Sequence, residues 1–282
     1  MSTLQQLDRE SSLSALVEMR TGTDIEIPPK RLLLPLANYL IWALFAVGLW
    51  SAGAGFLLGD IMSLFTGLAV VGLAASIGGS YVVFTLVNRC NEHCNRARAL
   101  FQTASRYLEA QATASGQNAL LALNSTEDGL YKLTRAERDR SAVLWALLTL
   151  FPLLGWIFLV VGLWRLSRDF ARHSQFEDLV LHDLDRTLRT MGLNGVSARP
   201  APITRRDTLG VIVILGVSGE VLSGFVLGLD AALVLIYLTI GALSLFWIDL
   251  AIRDPTPHFE YHSRVEAELL KSLPDVSGGA VE

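Results

Sequence analysis

The sequence contains only two cysteines, Cys90 and Cys94, among its 282 residues. Because they stand four positions apart on one predicted helix, they exclude a framework of disulfide bonds. The first 31 residues lack a basic start followed by a short apolar run, so we expect no cleaved signal peptide. The net charge of −4 gives no indication of nucleic-acid binding.

Motifs that carry known catalytic chemistry are also absent. The chain has no phosphate-binding glycine loop, no dinucleotide-binding glycine pattern, no HExxH motif and no recognisable Ser-His-Asp order. No paired acid-base constellation is visible. We therefore expect a protein that is not an enzyme and that has no cofactor.

The apolar residues, 51% of the chain, are concentrated in long blocks rather than at amphipathic spacing. A helix needs roughly 20 residues to cross about 30 Å of hydrocarbon. Four blocks reach that length, at 32–58, 61–87, 209–229 and 231–252. We predict an all-α integral membrane protein with four transmembrane helices in two hairpins.

A fifth block, at 142–164, allows two arrangements. A single tilted span fits its length. A bent or re-entrant hairpin fits the charges better, because 89–140 and 165–207 carry eight Lys and Arg residues each and should both be cytoplasmic. Pro152 and Gly155 favour a bend at this point. The sequence leaves both arrangements open.

These patterns divide the chain into seven segments of a multi-pass protein of the cell membrane, with both termini cytoplasmic. They are an N-terminal segment (1–30), a transmembrane hairpin (31–88), a cytoplasmic amphipathic helix and linker (89–140), the central hairpin or span (141–166), a cytoplasmic amphipathic helix (167–207), a second transmembrane hairpin (208–252) and a C-terminal helix and tail (253–282). Within the third segment, NSTEDG at 124–129 is typical of a linker.

The three cytoplasmic helices share a spacing that indicates an internal repeat. Each begins near a histidine, at His93, His173 and His258, and has apolar residues seven, eleven and fifteen positions later. Steps of four place such residues on one helical stripe. The nine stripe residues are Leu100, Ala104, Leu108, Val180, Leu184, Leu188, Val265, Leu269 and Leu273. We predict three amphipathic helices lying against the membrane segments.

The stretch LLTLFPLLGWIFLVVGLWRLSRDF at 147–170 combines a Leu/Thr run, a Pro- and Gly-containing bend, a Trp and a basic-acidic exit. It resembles a short hydrophobic-hairpin domain of uncharacterised prokaryotic, largely archaeal, multi-pass membrane proteins. Because that family has no established activity, the resemblance implies a membrane architecture and no catalytic residues.

Two groups of residues have the chemistry of metal ligands. Cys90, His93 and Cys94 share a helical face and would suit zinc or copper, but no second Cys/His pair completes four ligands. If the repeats surround a threefold axis, His93, His173 and His258 could instead converge into a three-imidazole metal site. The simpler interpretation is that each histidine caps its helix or contacts lipid headgroups.

Glu220 is the only ionisable residue deep within a predicted span. Carboxylates inside a membrane are costly and mark candidate functional sites. Its expected hydrogen-bond partners are Ser76, Ser80, Tyr237 or Thr239. Small residues expected to pack the helices closely are Gly72, Gly216, Gly224 and Gly228. We favour a hydrogen bond between helices over a proton or cation site.

The sequence thus predicts a non-enzymatic membrane scaffold or accessory subunit. Its partners would be the lipid bilayer and, through the cytoplasmic helices, another protein or further copies of the chain. The alternative is a small-solute or ion transporter that uses Glu220.

Overall fold

The computed structural model describes residues 13–24, 27–53, 61–115, 120–136, 140–151, 155–199, 203 and 229–273. Every regular element in these ranges is helical, which confirms the predicted all-α class. The α-helices are α1 (Leu13–Glu18), α2 (Arg20–Thr23), α3 (Leu33–Gly53), α4 (Ile61–Ser115), α5 (Leu120–Ala136), α6 (Ala142–Thr149), α7 (Gly155–Thr190), α8 (Leu229–Arg253) and α9 (Pro255–Ser272), with a 3-10 turn at Pro29–Leu32.

Two helical stretches of the described residues are long and apolar enough to cross a membrane. They are Ala69–Thr113 within α4 and Val234–Ser272 through α8 and α9. The described residues therefore do not support the four spans in two hairpins that the sequence predicted. Most of the predicted span at 209–229 lies outside them.

The two longest helices each join an apolar half to a polar half. Helix α4 has 55 residues and extends about 80 Å, and its sequence changes from apolar to charged near Asn88. Helix α7 makes the same change near Arg165. The predicted segment boundaries at 88/89 and 166/167 consequently fall inside continuous helices. The polar and apolar segments are therefore coupled through unbroken backbone hydrogen bonding.

Helices α6 and α7 fold back on each other. The Ser141 hydroxyl caps α6 by accepting a hydrogen bond from the Leu144 N–H at 3.1 Å. A Cβ atom on Gly162 would lie only 2.9 Å from Cε3 of Trp145. In one continuous helix these two residues would be about 25 Å apart, so the chain reverses between α6 and α7.

Buried apolar side chains form two cores stacked along α4 and α7. The first, here the membrane-level core, includes Trp42, Val82, Leu86, Leu159, Leu163, Trp247 and Ile248. The second, the distal core, includes Leu13, Leu16, Phe101, Leu133 and all nine stripe residues predicted from the sequence. No stripe residue exposes more than 1% of its surface, because α4, α7 and α9 turn their stripes towards each other.

The linker expected at 124–129 is wrong, because these residues lie inside α5. Thr126 is fully buried, with its hydroxyl 3.2 Å from that of Thr187 on α7. Gly129 allows close approach, since a Cβ there would lie 3.3 Å from Val180. Packing against α7 therefore stabilises a helix that the local sequence does not favour.

Candidate metal centre

Four histidines meet between the membrane-level core and the distal core. His93 lies on α4, His173 on α7, and His258 and His262 lie one turn apart on α9. Each exposes at most 1% of its surface. Along α4 and α7 the membrane-level core ends before the histidine and the distal core begins after it, so the centre occupies the joint between the two cores.

The four imidazole rings pack directly against one another. The ring centroid of His93 lies 5.3 Å from that of His173, 5.2 Å from that of His258 and 4.6 Å from that of His262. One ring nitrogen from each histidine lies within 4.8 Å of the others. The sequence proposed His93, His173 and His258 for such a site, and the structure brings them together and adds His262.

Glu177 places a carboxylate among these rings. It lies one turn after His173 on α7 and is fully buried. Its Oε1 is 2.7 Å from Nε2 of His262, and its Oε2 is 3.1 Å from Nε2 of His258 and 3.4 Å from Nε2 of His173. The Glu177 carboxylate thus lies within ion-pair distance of three imidazoles on α7 and α9.

Asp24 fixes the orientation of His93. The Asp24 Oδ1 atom is 2.8 Å from Nδ1 of His93, and its Oδ2 accepts a hydrogen bond of 2.6 Å from Arg96. Burial, together with the neighbouring histidines, holds the pKa of His93 well below its usual value, so the ring is neutral at pH 7. When Nδ1–H donates to Asp24, Nε2 keeps the lone pair. That Nε2 is buried and has no hydrogen-bond partner among the described residues. A carboxylate that orients a histidine in this way is typical of metal centres.

A second layer of charges surrounds the histidines. Arg96 bridges Asp24 and Glu266 by donating to both carboxylates, and Arg20 lies 3.6 Å from the other Glu266 oxygen. Burial raises the pKa of Asp24 and of Glu266, and Arg96 opposes that rise in both cases. These two carboxylates are thus balanced by the two guanidinium groups.

Glu177 has no comparable counter-ion. Among the described residues, only histidines lie within ion-pair distance of its carboxylate. Burial opposes ionisation of Glu177, but its contacts with His262 and His258 hold its pKa well below the usual value, so it is ionised at pH 7. Burial in turn lowers the pKa of His262 to about 4 although Glu177 opposes it, so this ring is neutral at pH 7. A bound cation would supply the missing positive charge.

The donor set identifies the class of cation. Neutral imidazoles favour zinc, copper, iron and nickel, whereas calcium and magnesium prefer oxygen ligands. In a tetrahedral site with metal–nitrogen bonds of about 2.1 Å, the four nitrogens lie about 3.4 Å from one another. Here the ring nitrogens lie within 4.8 Å of one another, so binding a metal would require them to approach by about 1 Å. Ring centroids 4.6 to 5.6 Å apart leave no room for a haem between them. The centre therefore suits a single transition-metal ion.

The cysteines lie beside this centre. Cys90 and Cys94 are free thiols, and a hydrogen bond from Cys94 lowers the pKa of Cys90. Neither belongs to the group of converging ligand atoms. Of the predicted face of Cys90, His93 and Cys94, only His93 joins the centre.

The predicted intramembrane site is described only in part. The Ser76 hydroxyl accepts a hydrogen bond from the Trp42 indole at 3.0 Å and lies 2.9 Å from the Asn38 side-chain oxygen. Ser80 accepts from Thr149 at 3.1 Å, and Gly72 faces the Trp42 ring. The structure does not describe Glu220, Gly216, Gly224 or Gly228, nor the side chain of Tyr237. The partners seen for both serines are thus residues of α3 and α6.

Sequence reasoning missed His262, Glu177, Asp24, Arg96 and Glu266. The signal for two of them was the four-residue spacing of His173 with Glu177 and of His258 with His262, which places each pair on one helical face. No local pattern connects Asp24 or Arg96 to the histidines.

No protein-family model, no curated protein and no solved structure matches this chain.

Proposed function

We propose that this protein is a membrane protein that binds one divalent transition-metal ion through His93, His173, His258 and His262, with Glu177 as the neighbouring carboxylate. The observation that carries the proposal is the convergence of four buried imidazoles, three of them in contact with the buried Glu177 carboxylate. A bound cation satisfies both the nitrogen lone pairs and the carboxylate charge.

The distribution of exposed apolar side chains supports a position in the membrane. Large apolar residues are exposed on α3, the first part of α4, α6, the start of α7 and α8. They are Leu33, Leu34, Leu36, Leu40, Leu44, Val47, Val70, Val71, Leu73, Ile77, Tyr81, Val143, Leu144, Leu147, Phe151, Ile157, Leu235 and Phe246. Around the distal core only Tyr131 and Leu179 are exposed in this way among the described residues. An apolar belt at one end of the molecule suits lipid, and the metal centre then lies just outside the hydrocarbon.

The burial of the centre favours a structural role for the metal. Catalytic zinc sites keep an open position for water or substrate, whereas structural sites are closed by protein ligands. All four histidines here are closed off from solvent. A metal bound to them would tie α4, α7 and α9 together where the two cores meet. This role agrees with the scaffold or accessory-subunit function expected from the sequence, which stays a prediction, as does transport through Glu220.

The metal content of the purified protein tests the proposal. The protein in detergent, loaded with Zn²⁺, Fe²⁺, Cu²⁺, Ni²⁺ or Co²⁺ and desalted, should retain one ion per chain by elemental analysis. Co²⁺ should also give the visible absorption of a nitrogen-coordinated ion. The double variant His258→Ala/His262→Ala should lose both signals, while His182→Ala should keep them, because the His182 side chain is 71% exposed on α7.

Circular dichroism and gel filtration establish that each variant is folded. If the double variant is unfolded, His93→Gln serves in its place, since Gln keeps a polar side chain in the same space. Wild-type protein that retains none of the five ions, or a folded ligand variant that binds like the wild type, contradicts the proposal.

A further inference from the structure

A cavity adjoins the closed metal centre. Its volume, measured for the centre of a water-sized sphere, is about 40 Å³, and its walls come from α4, α7, α8, α9 and Ile203. Most of its lining is apolar, and the polar residues are Arg89, Cys90, Ser167 and Asp254. It lies where the membrane-level core ends, one helical turn before the histidines. The centre itself is buried, so an ion needs a path to it.

Two phenylalanine rings form the wall between the cavity and the histidines. Phe259 lines the cavity, and its ring centroid lies 4.6 Å from that of His93. Phe170 also lines the cavity, with its ring 5.9 Å from His93 and 5.2 Å from His258. The two ring centroids lie 6.1 Å apart, so a path from the cavity to His93 would run between them.

Cys90 places a sulfur atom, which can bind metals, on the cavity side of this wall. It is partly exposed, in contrast to the four histidines, and it lies one turn before His93 on α4. The hydrogen bond from Cys94 stabilises its thiolate, which is the form that binds metals. The Arg89 guanidinium, which donates to the Ala251 carbonyl at 2.9 Å, lies in the same cavity wall and further favours the Cys90 thiolate.

Resting on the proposed function, we infer that the ion reaches the centre through this cavity, binding first to Cys90 and then passing between Phe170 and Phe259 to His93. The Cys90 thiol loses its proton as the sulfur–metal bond forms. It regains a proton when the metal moves to nitrogen, so no electron is transferred. A thiolate at the entrance also favours zinc-like and copper-like ions over calcium and magnesium.

Rapid mixing of metal-free protein in detergent with Co²⁺ tests this path. In wild-type protein, the near-ultraviolet absorption of a thiolate–cobalt bond should appear first and decay as the nitrogen-coordinated spectrum rises. Cys90→Ser should lack the transient thiolate–cobalt absorption but reach the same final spectrum. It should load about tenfold more slowly, which corresponds to a barrier higher by about 1.4 kcal/mol. Cys94→Ser keeps a hydrogen-bond donor and should load like the wild type.

Opening the wall of phenylalanine rings should speed up cobalt loading, whereas loss of Cys90 should slow it. Phe259→Ala should load faster and should also release Co²⁺ faster to a chelator, because the same opening serves both directions. Phe170→Ala replaces it if Phe259→Ala does not fold. Faster loading without a change in the final spectrum supports the path.

The outcomes separate this inference from the proposed function. If wild-type protein never develops the nitrogen-coordinated spectrum, the metal centre itself is refuted. If that spectrum forms but Cys90→Ser loads at the wild-type rate, the path through Cys90 is wrong. A thiolate band that persists at equilibrium would make Cys90 a permanent ligand and would equally overturn its transient role.

Discussion

At the scale of single residues, the Glu177 carboxylate is the group that most needs a partner. It is fully buried, and burial keeps the nearby His93 and His262 rings neutral at pH 7. Without metal, an ionised Glu177 can gain a counter-charge only if a nearby histidine binds a proton. Protons and metal ions therefore compete for the same nitrogens.

The metal-free protein should consequently lose stability in mild acid. Burial lowers the pKa of folded His262 to about 4, below its value of about 6.5 in the unfolded chain. The unfolded chain then binds more protons between these values, so the free energy of unfolding falls as the pH drops. His262 alone accounts for about 2 kcal/mol between pH 7 and pH 5.

Thermal unfolding of metal-free protein at pH 7 and pH 5 measures this loss, which amounts to several degrees in Tm. His262→Asn should flatten the dependence on pH, and exposed His182→Asn should leave it as in the wild type. Equal slopes in wild-type protein and His262→Asn would mean that His262 is already protonated at neutral pH.

At the scale of elements, the hairpin of α6 and α7 depends on a close approach of the two helices. Trp145 lies against Gly162, where no side chain separates the backbone of α7 from the indole. The hairpin reverses the direction of the chain, so α7 runs back along α6. It thereby brings the His173 segment of α7 alongside the His93 segment of α4.

Gly162→Val should separate the two helices. Its Cβ would lie 2.9 Å from Trp145, and overpacking of this kind costs about 1–3 kcal/mol. We expect a Tm several degrees lower in detergent. Gly22→Val is the matched control, because a Cβ at Gly22 meets no atom within 4 Å. Equal Tm values for Gly162→Val and wild-type protein would show that the helices do not need this contact.

At the scale of the whole molecule, the two cores lie one above the other along α4 and α7, with the metal centre between them. The distal core takes side chains from both sides of the central hairpin, including Leu108 before it and Leu181 after it. Residues that share one core must lie on the same side of a membrane.

Labelling of single cysteines tests this arrangement. In a Cys90→Ser/Cys94→Ser background, Ala110→Cys and Leu179→Cys should both react with a membrane-impermeant maleimide added from one side, and neither from the other. Both positions are exposed. Ile77→Cys, on the apolar belt, should stay unlabelled from either side. Reaction of Ala110→Cys and Leu179→Cys from opposite sides would require a single central span.

The sequence alone determined the features that depend on local periodicity. Long apolar runs predicted helices. The positions seven, eleven and fifteen residues after each of three histidines identified nine apolar residues, and all nine are buried in the distal core. The linker at 124–129 was predicted wrongly, because burial of Thr126 against α7 outweighs the local preference. Side-chain partners of Ser76 and Ser80 could not be read from spacing, since Asn38 and Thr149 come from other helices.

Only the tertiary structure decided which charged and polar groups meet. Periodicity shows which face of a helix is apolar, but not which helix lies opposite or at what height. The contacts of His93 with Asp24 and of Glu177 with His262 join residues far apart in the chain, and they exist because three stripes pack into one core. The sequence thus supplied the histidines, and the packing of α4, α7 and α9 brought them together into the candidate metal centre.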